Sequence, residues 1–153
     1  MYSKPTDQDY RFMQIALEEA KQSLKEGGIP IGACLVLDGK VVAQGHNQRV
    51  QQNNPILHGE MHCFQQAGRL KATDYQRAVL YTTLSPCPMC SGAIRLFKIP
   101  RVVIAENVTF MGDEKILEES GVELVNLHLP EAIDMMTQFI QKNPELWDED
   151  IAV

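Results

Sequence analysis

The sequence predicts an α/β fold in which a five-stranded mixed sheet carries helices on both faces. Amphipathic helical segments alternate along the chain with short apolar runs that are typical of strands. Asp38-Gly39 joins two of these runs and is a strong β-hairpin signal. Two later runs are separated by 16 residues, 106–121, a length that suits a parallel crossover better than a hairpin. The 153 residues are 44% hydrophobic, which predicts one continuous domain over residues 1–153.

The first predicted element is a helix that begins after Thr6. Thr6 and Asp9 have the spacing of a capping box. Gly27-Gly28 ends the helix, since glycine readily takes the backbone conformation of a helix C-terminus. One apolar face is predicted along it, made by Phe12, Ile15, Ala16, Ala20 and Leu24.

The middle of the chain predicts two hairpin strands, a loop, a helix and a further strand. The hairpin strands span residues 31–37 and 40–45. Residues 47–57 are polar, contain Asn-Asn-Pro and are predicted to form a loop. A helix is expected over residues 58–70 and a strand over residues 78–83.

The last part of the chain continues the same alternation. Pro88 favours a helix start, because proline is tolerated in the first turn, and this helix is expected to reach residue 98. Strands are predicted over residues 101–105 and 122–127, with a helical stretch at 114–120 between them. A final amphipathic helix is predicted over residues 130–142.

Charge and hydropathy limit the classes of partner. The chain has 14 Lys and Arg against 20 Asp and Glu, which gives a net charge of −6. An acidic surface repels polyphosphate, so we expect no nucleic-acid partner but a small uncharged or cationic one. No apolar run approaches the roughly 18 residues that span a bilayer, and the first residues lack the apolar core of a secretion signal. We therefore expect a cytoplasmic protein with no membrane partner.

The four cysteines have different predicted roles. Without a secretion signal a disulfide framework is improbable. The close pair Cys87 and Cys90 is typical of a metal or catalytic site. Cys34 lies within an apolar run and is predicted to be buried without a chemical role.

Two short motifs predict a catalytic zinc site. His58 and Glu60 stand at one predicted helix start, and Cys87 and Cys90 share a face at another. Two thiolates and one imidazole suit Zn²⁺, and three protein ligands leave the fourth tetrahedral position open to water. Glu60 then lies beside that water without binding the metal. His-x-Glu followed by Pro-Cys-x-x-Cys is the zinc-deaminase signature.

Less specific interpretations of the same residues remain open. Cys-x-x-Cys alone occurs in redox pairs and in structural four-cysteine zinc sites. No second Cys-x-x-Cys is present, and a non-enzymatic zinc or redox module would not require Glu60. His62 and His128 are predicted to be ordinary core or surface residues.

The chain resembles the zinc-dependent cytidine and deoxycytidylate deaminase superfamily, and within it the yeast-type cytosine deaminases. The resemblance covers nearly the whole chain and differs by a shorter hairpin at Asp38-Gly39 and by Asp148, where the yeast-type enzyme is aromatic. It is carried by residues 26–32, 45–47, 57–60, 80–94, 99–101, 106–110 and 147–151. The resemblance implies a three-layer α/β/α sandwich and a homodimer with one Zn²⁺ per subunit.

The same resemblance implies hydrolysis of free cytosine to uracil and ammonia in pyrimidine salvage, with 5-substituted cytosines as further substrates. A zinc-bound hydroxide would attack C4 of the ring, with Glu60 as the proton shuttle. Phe110 and Trp147 would stack on the ring and exclude water.

The resemblance also assigns the substrate contacts. Asn47 and the Gly59 backbone N–H would hold O2 of the base. Asp150 would accept from the amino group, and the Ile31 carbonyl would read N1–H, which is present only without a sugar. The full implied set is Ile31, Asn47, Gly59, Ser85, Phe110, Trp147 and Asp150.

Other deaminases of the same fold remain alternatives: one for guanine, one for a nucleoside, or one for adenosine in tRNA. The net charge of −6 and the absence of a Lys/Arg cluster argue against tRNA. Only the resemblance of the last residues, 147–151, argues against guanine or a nucleoside.

Overall fold

A computed structural model describes residues 1–153 as one sheet surrounded by helices. The strands are β1 Gly32–Leu37, β2 Lys40–His46, β3 Ala78–Thr82, β4 Arg101–Ile104 and β5 Glu123–Asn126. The helices are α1 Asp7–Lys25, α2 Gly59–Ala67, α3 Ala72–Tyr75, α4 Pro88–Phe97, α5 Glu114–Glu119, α6 Pro130–Lys142 and α7 Pro144–Asp150. None of the helices combines the length and the apolar character needed to cross a membrane.

The sheet has the order β2-β1-β3-β4-β5 and is mixed, as predicted. β1 pairs antiparallel with both β2 and β3, whereas β3, β4 and β5 run parallel. The hairpin turn places Asp38 and Gly39 at φ 51° and 78°, the left-handed conformation that a two-residue turn requires. Helix α4 joins β3 to β4, and helix α5 joins β4 to β5. The second connection confirms the parallel crossover predicted for residues 106–121.

Helices cover both faces of the sheet because successive strand residues point to opposite sides. On β1, Leu35 packs toward α2, α4 and α5, while Cys34 and Val36 pack toward α1 and α6. Cys34 is fully buried without a disulfide, as predicted. The result is the three-layer α/β/α arrangement.

Helix α1 begins with the predicted capping box and buries most of the predicted face. The Asp9 N–H donates to Thr6 Oγ1 at 3.3 Å, and the Thr6 N–H donates to the Asp9 carboxylate at 2.9 Å. Arg101 and Tyr81 also bond this carboxylate from the sheet, so Asp9 must face inward. In a helix of 3.6 residues per turn, that orientation buries Met13, Ala16, Leu17 and Ala20. The predicted face was therefore wrong at Leu24, which is 44% exposed.

One helix end and two short helices differ most from the sequence prediction. Helix α2 ends at Ala67 rather than at residue 70, because Gly68 takes φ 73° and turns the chain. The short helix α3 was not predicted, and four residues are too few to show a period. Helix α7 was not assigned either, and it begins at Pro144, directly after the end of α6.

The chain before α1 lies along the edge of the sheet at β5. The Ser3 N–H donates to the Leu124 carbonyl at 2.7 Å. Tyr2 extends from this position toward α5, where its hydroxyl donates to Glu114 at 2.6 Å. This N-terminal arm is thus attached to both the sheet and a helix.

Candidate active site

The N-termini of α2 and α4 bring three metal-binding side chains together. His58 is the N-cap residue of α2, Cys87 is the N-cap residue of α4, and Cys90 lies one turn into α4. Their ligand atoms all lie within 4.8 Å of one another, and His58 Nδ1 is 3.4 Å from Cys87 Sγ. The donor set of two sulfurs and one imidazole nitrogen, largely buried, fits Zn²⁺ and leaves one tetrahedral position for another ligand.

The electrostatics of the cluster favour a thiolate at Cys87. Hydrogen bonds from Cys90 and His58 outweigh burial and lower the pKa of Cys87 to about 4. Burial by itself would lower the pKa of His58. The hydrogen bond to Cys87 and the negative charge of Asp150 outweigh burial and raise this pKa to about 9. Cys87 therefore carries its charge at neutral pH, and the thiolate is the form of cysteine that binds a metal.

Glu60 faces the same space but does not belong to the cluster of metal-binding groups. Its side chain lies in the first turn of α2, and the residue is 4% exposed. Burial, followed by the negative charge of Cys87, raises its pKa to about 7. A carboxyl group with a pKa near neutrality can both accept and donate a proton, which is the requirement for general acid–base catalysis.

A small cavity adjoins these groups. It is lined by Ile31, His58, Glu60, Leu84, Ser85, Cys87, Phe110, Trp147, Asp150 and Ile151. The structure thus places in its wall five of the seven substrate contacts that the resemblance implies. Asn47 and Gly59 lie behind this wall. Sequence reasoning did not single out Leu84 and Ile151, because apolar residues beside a motif carry no signal of their own.

Asn47 and Asp150 form a buried polar pair beside the metal-binding cluster. Asn47 Nδ2 donates to Asp150 Oδ1 at 2.9 Å, and Asn47 Oδ1 accepts from the Arg49 backbone N–H at 2.9 Å. The same Asp150 oxygen is 3.3 Å from His58 Nε2. Asp150 therefore connects the C-terminal helix to a metal-binding side chain.

Close backbone packing explains the glycine between His58 and Glu60. A Cβ atom at Gly59 would lie 2.9 Å from the Ile31 carbonyl oxygen, closer than ordinary contact allows. That oxygen already accepts from the Asn47 N–H at 2.9 Å. Glycine therefore lets the start of α2 approach Ile31, the residue that precedes β1.

Two aromatic rings form part of the cavity wall. The rings of Phe110 and Trp147 meet edge to face, with centroids 5.9 Å apart. Trp147 is buried in a small core cluster with Ile29, Leu84, Met136 and Phe139. Outside this core cluster, on the protein surface, Arg49 Nη1 lies 3.2 Å from Glu149 Oε2. The C-terminal helix α7 is thus the outer wall of the cavity.

Comparisons with known proteins agree with this geometry. A family model described as the cytidine and deoxycytidylate deaminase zinc-binding region matches residues 6–106. The chain is 52% identical to a cytosine deaminase of Candida albicans over 147 residues, which cover 95% of this chain and 98% of that protein. It is 41% identical to a tRNA-specific adenosine deaminase of Streptococcus pyogenes over 120 residues, covering 75% of this chain and 74% of the other.

Solved structures extend the likeness to three dimensions. A chain from a structural study of A-to-I editing by tRNA:A34 deaminases superposes with a TM-score of 0.71 at 29% identity. The superposition covers 82% of this chain and 99% of that one. The sheet and the metal-binding helices are thus an arrangement shared by proteins whose substrates differ.

Proposed function

The chain belongs to the cytidine and deoxycytidylate deaminase family, and we propose that within this family it hydrolyses free cytosine to uracil and ammonia. The observation that carries the proposal is 52% identity to the Candida albicans cytosine deaminase over almost the full length of both chains. That span includes the chain beyond residue 106, where the outer wall of the cavity lies.

The metal belongs to this proposal as a resident cofactor. His58, Cys87 and Cys90 hold zinc, and the chemistry that the ion supplies when bound is the activation of water at neutral pH. The Cys87 thiolate offers the ion one ligand that is already deprotonated at neutral pH.

Glu60 moves the protons in this proposal. Its carboxylate takes a proton from the water and delivers it to ring N3, which makes C4 electrophilic. After the oxygen has bonded to C4, Glu60 carries a proton to the amino group, which leaves as ammonia. One carboxylate serves both steps because it is regenerated between them, and its pKa of about 7 suits both directions.

The substrate contacts are proposed from residues in and directly behind the cavity wall. Asp150 accepts a hydrogen bond from the amino group, while the second N–H of Asn47 Nδ2 and the Gly59 N–H serve O2. The Ile31 carbonyl uses one lone pair for the Asn47 N–H, and its second lone pair is available for N1–H of the base. A nucleoside lacks that hydrogen and leaves the contact unmade.

The remaining expectations follow from the family resemblance. We propose a cytoplasmic homodimer with one zinc per subunit that acts in pyrimidine salvage and also accepts 5-substituted cytosines. A small nucleobase, and neither nucleic acid nor a membrane, is the proposed partner. The likeness to tRNA adenosine deaminases favours tRNA as the rival substrate, whereas the net charge of −6 argues against it.

The test is ammonia release by the zinc-loaded protein with cytosine, cytidine, guanine and adenosine at equal concentration, and with a tRNA anticodon stem-loop that has adenosine at the wobble position. We expect turnover of cytosine alone.

Glu60→Gln should retain zinc and lose roughly 10²–10⁴ in kcat, the usual contribution of a general acid–base. Glu145→Gln, at an exposed position of α7, is the matched control and should be unaffected. Preference for any other substrate, or full activity of Glu60→Gln, would overturn the proposal.

A further inference from the structure

Two buried carboxylates outside the proposed chemistry flank the loop that carries Phe110. Glu106 is 0% exposed and Glu114 is 4% exposed, and they enclose residues 107–113. The Glu106 carboxylate accepts from the backbone N–H groups of Val108 at 2.7 Å and Thr109 at 2.9 Å. Buried carboxylates are costly unless they are hydrogen-bonded, so Glu106 fixes the first half of this loop.

Glu114 fixes the second half and reaches a residue of the cavity wall. Its Oε2 accepts from Ser85 Oγ, and its Oε1 accepts from the Tyr2 hydroxyl at 2.6 Å. Asn107 Nδ2 adds longer contacts to both carboxylate oxygens, at 3.3 and 3.4 Å. Burial, followed by the hydrogen bond to Glu114, raises the pKa of Tyr2 to about 12, so its hydroxyl remains a donor.

The loop is also joined directly to the turn that precedes Cys87. The Gly112 N–H donates to Ser85 Oγ at 2.9 Å, and the Asp113 N–H donates to the Pro86 carbonyl at 3.1 Å. A Cβ atom at Gly112 would lie 1.9 Å from the Pro86 carbonyl oxygen, so only glycine permits this approach. The Ser85 hydroxyl therefore serves Glu114 and Gly112 rather than the cavity.

We propose that Glu114 is a positioning residue for the deamination reaction, which acts by locking the Phe110 loop onto the Ser85-Pro86 turn. The inference rests on the proposed function and adds to it a residue that does not touch substrate. Glu114 sets the position of Phe110 against Trp147, and with it the distance between the aromatic rings and the base. Removal of Glu114 leaves the Ser85 hydroxyl with a buried unpaired donor and frees the loop to shift.

The first test measures kcat and KM for cytosine. We expect Glu114→Ala to lower kcat/KM about 10²-fold, because a misplacement of about 1 Å outside the reacting groups has effects of that size. Most of the loss should appear in KM, since Phe110 would contact the base before reaction as well as during it. Glu114→Gln keeps an acceptor for Ser85 and should recover activity to within about tenfold. Glu119→Ala, at an exposed position of the same helix, should match the parent protein.

A second readout reports the position of Phe110 without substrate. Trp147 is the only tryptophan of the chain, and its ring meets Phe110. Glu114→Ala should shift its fluorescence emission to longer wavelength and raise its quenching by acrylamide, while zinc content and circular dichroism stay constant. A merely structural role of Glu114 would lower the unfolding temperature and leave the emission of the folded protein unchanged.

Ser85→Ala keeps the inference testable if Glu114→Ala does not fold. It removes the other partner of the same bond and should produce the same KM increase and the same emission shift. The double variant should lose less than the two single losses combined, because both variants remove the bond between Ser85 and Glu114. Unchanged KM and emission in the folded variants, additive losses, or loss of zinc would each overturn the inference. Failure of the unmodified protein to deaminate cytosine would instead contradict the proposed function, and the emission test would still decide the role of Glu114.

Discussion

The cavity has two walls of different origin. The metal-binding wall consists of the first turns of α2 and α4, and its four chemical residues fall within the region that the deaminase family model matches, residues 6–106. The outer wall consists of Phe110 and helix α7, which lie beyond that region. We therefore expect the reaction to depend on the shared part of the chain, and the closure of the cavity over the base to depend also on the part that follows it.

The two walls are also held in different ways. Helices α2 and α4 pack on the sheet through the large core cluster that includes Phe64 and Ile94. Helix α7 has seven residues, too few to be stable alone, and depends on the burial of Trp147 and the bond between Asn47 and Asp150. We therefore expect changes in the metal-binding wall to abolish the chemistry, and changes in the outer wall to alter substrate affinity.

Removal of the metal should have the largest effect on activity, and it should act through the metal-binding wall alone. Chelation should abolish ammonia release, and added zinc should restore it. Cys87 should then be alkylated by iodoacetamide even at pH 6, since hydrogen bonds lower its pKa to about 4, whereas zinc should protect it. Peptide mass spectrometry measures the modified position. Burial raises the pKa of the Cys34 thiol, so Cys34 should react more slowly than Cys87. Alkylation of Cys34 before Cys87 would contradict the assignment of Cys87 as the thiolate.

Asp150→Ala should have the next largest effect and tests the outer wall. A hydrogen bond to a charged group contributes about 1.5–3 kcal/mol, so kcat/KM for cytosine should fall roughly 10- to 150-fold. Zinc content, measured by atomic absorption, should remain at one per chain. Asp148→Ala, at an exposed position of the same helix, is the control and should change neither quantity. Loss of zinc from Asp150→Ala would show that the two walls are not separable.

Arg49→Ala should have a small effect, because the surface pair with Glu149 is worth about 0–1 kcal/mol. We expect a change in kcat/KM of less than about fivefold, and this change should shrink further in 0.5 M salt as screening weakens the pair in the parent protein. Steady-state kinetics at low and high salt measure it. Arg77→Ala removes an exposed pair with Asp38 in the hairpin turn, and serves as a control with no effect. A change beyond tenfold would contradict a surface role for Arg49.

Asp9→Asn should leave activity unchanged, lower stability at pH 6 and weaken the dependence of stability on pH. Burial raises the pKa of Asp9, but hydrogen bonds from Arg101, Thr6 and Tyr81 outweigh it and hold the pKa below its ordinary value of 3.8. A carboxyl group with a lowered pKa stabilises the fold above its ordinary pKa and loses this contribution as the pH falls through the lowered value. Urea unfolding at pH 6 and pH 3 should show a larger loss of stability in the parent protein than in Asp9→Asn. Equal losses would contradict the ion pair.

The sequence predicted the metal-binding wall better than the outer one for a chemical reason. Few residue types bind zinc, so His58, Cys87 and Cys90 stand out by identity and spacing alone. The wall formed by α7 was suggested only by resemblance, because seven residues after a proline show no helical period. Asn47 was likewise assigned to the pocket, and the structure adds that it holds Asp150.

Buried polar partners were the features least accessible to sequence reasoning. Asp9 carried a capping signal, but its pairing with Arg101 across 92 residues had none. This pairing agrees with the burial of Met13 and Leu17, which the predicted face did not include. Glu114 lies in a polar stretch where a single acid is unremarkable. Its importance emerges only when the fold places it beside Ser85, 29 residues earlier in the chain.

The attachment of the N-terminal arm has a consequence for self-association. β5 is an edge strand, and an edge strand offers unpaired backbone groups to other chains. The Ser3 N–H occupies the Leu124 carbonyl in the middle of that edge. The first residues of the chain therefore cover part of an edge that would otherwise be open to pairing with another chain.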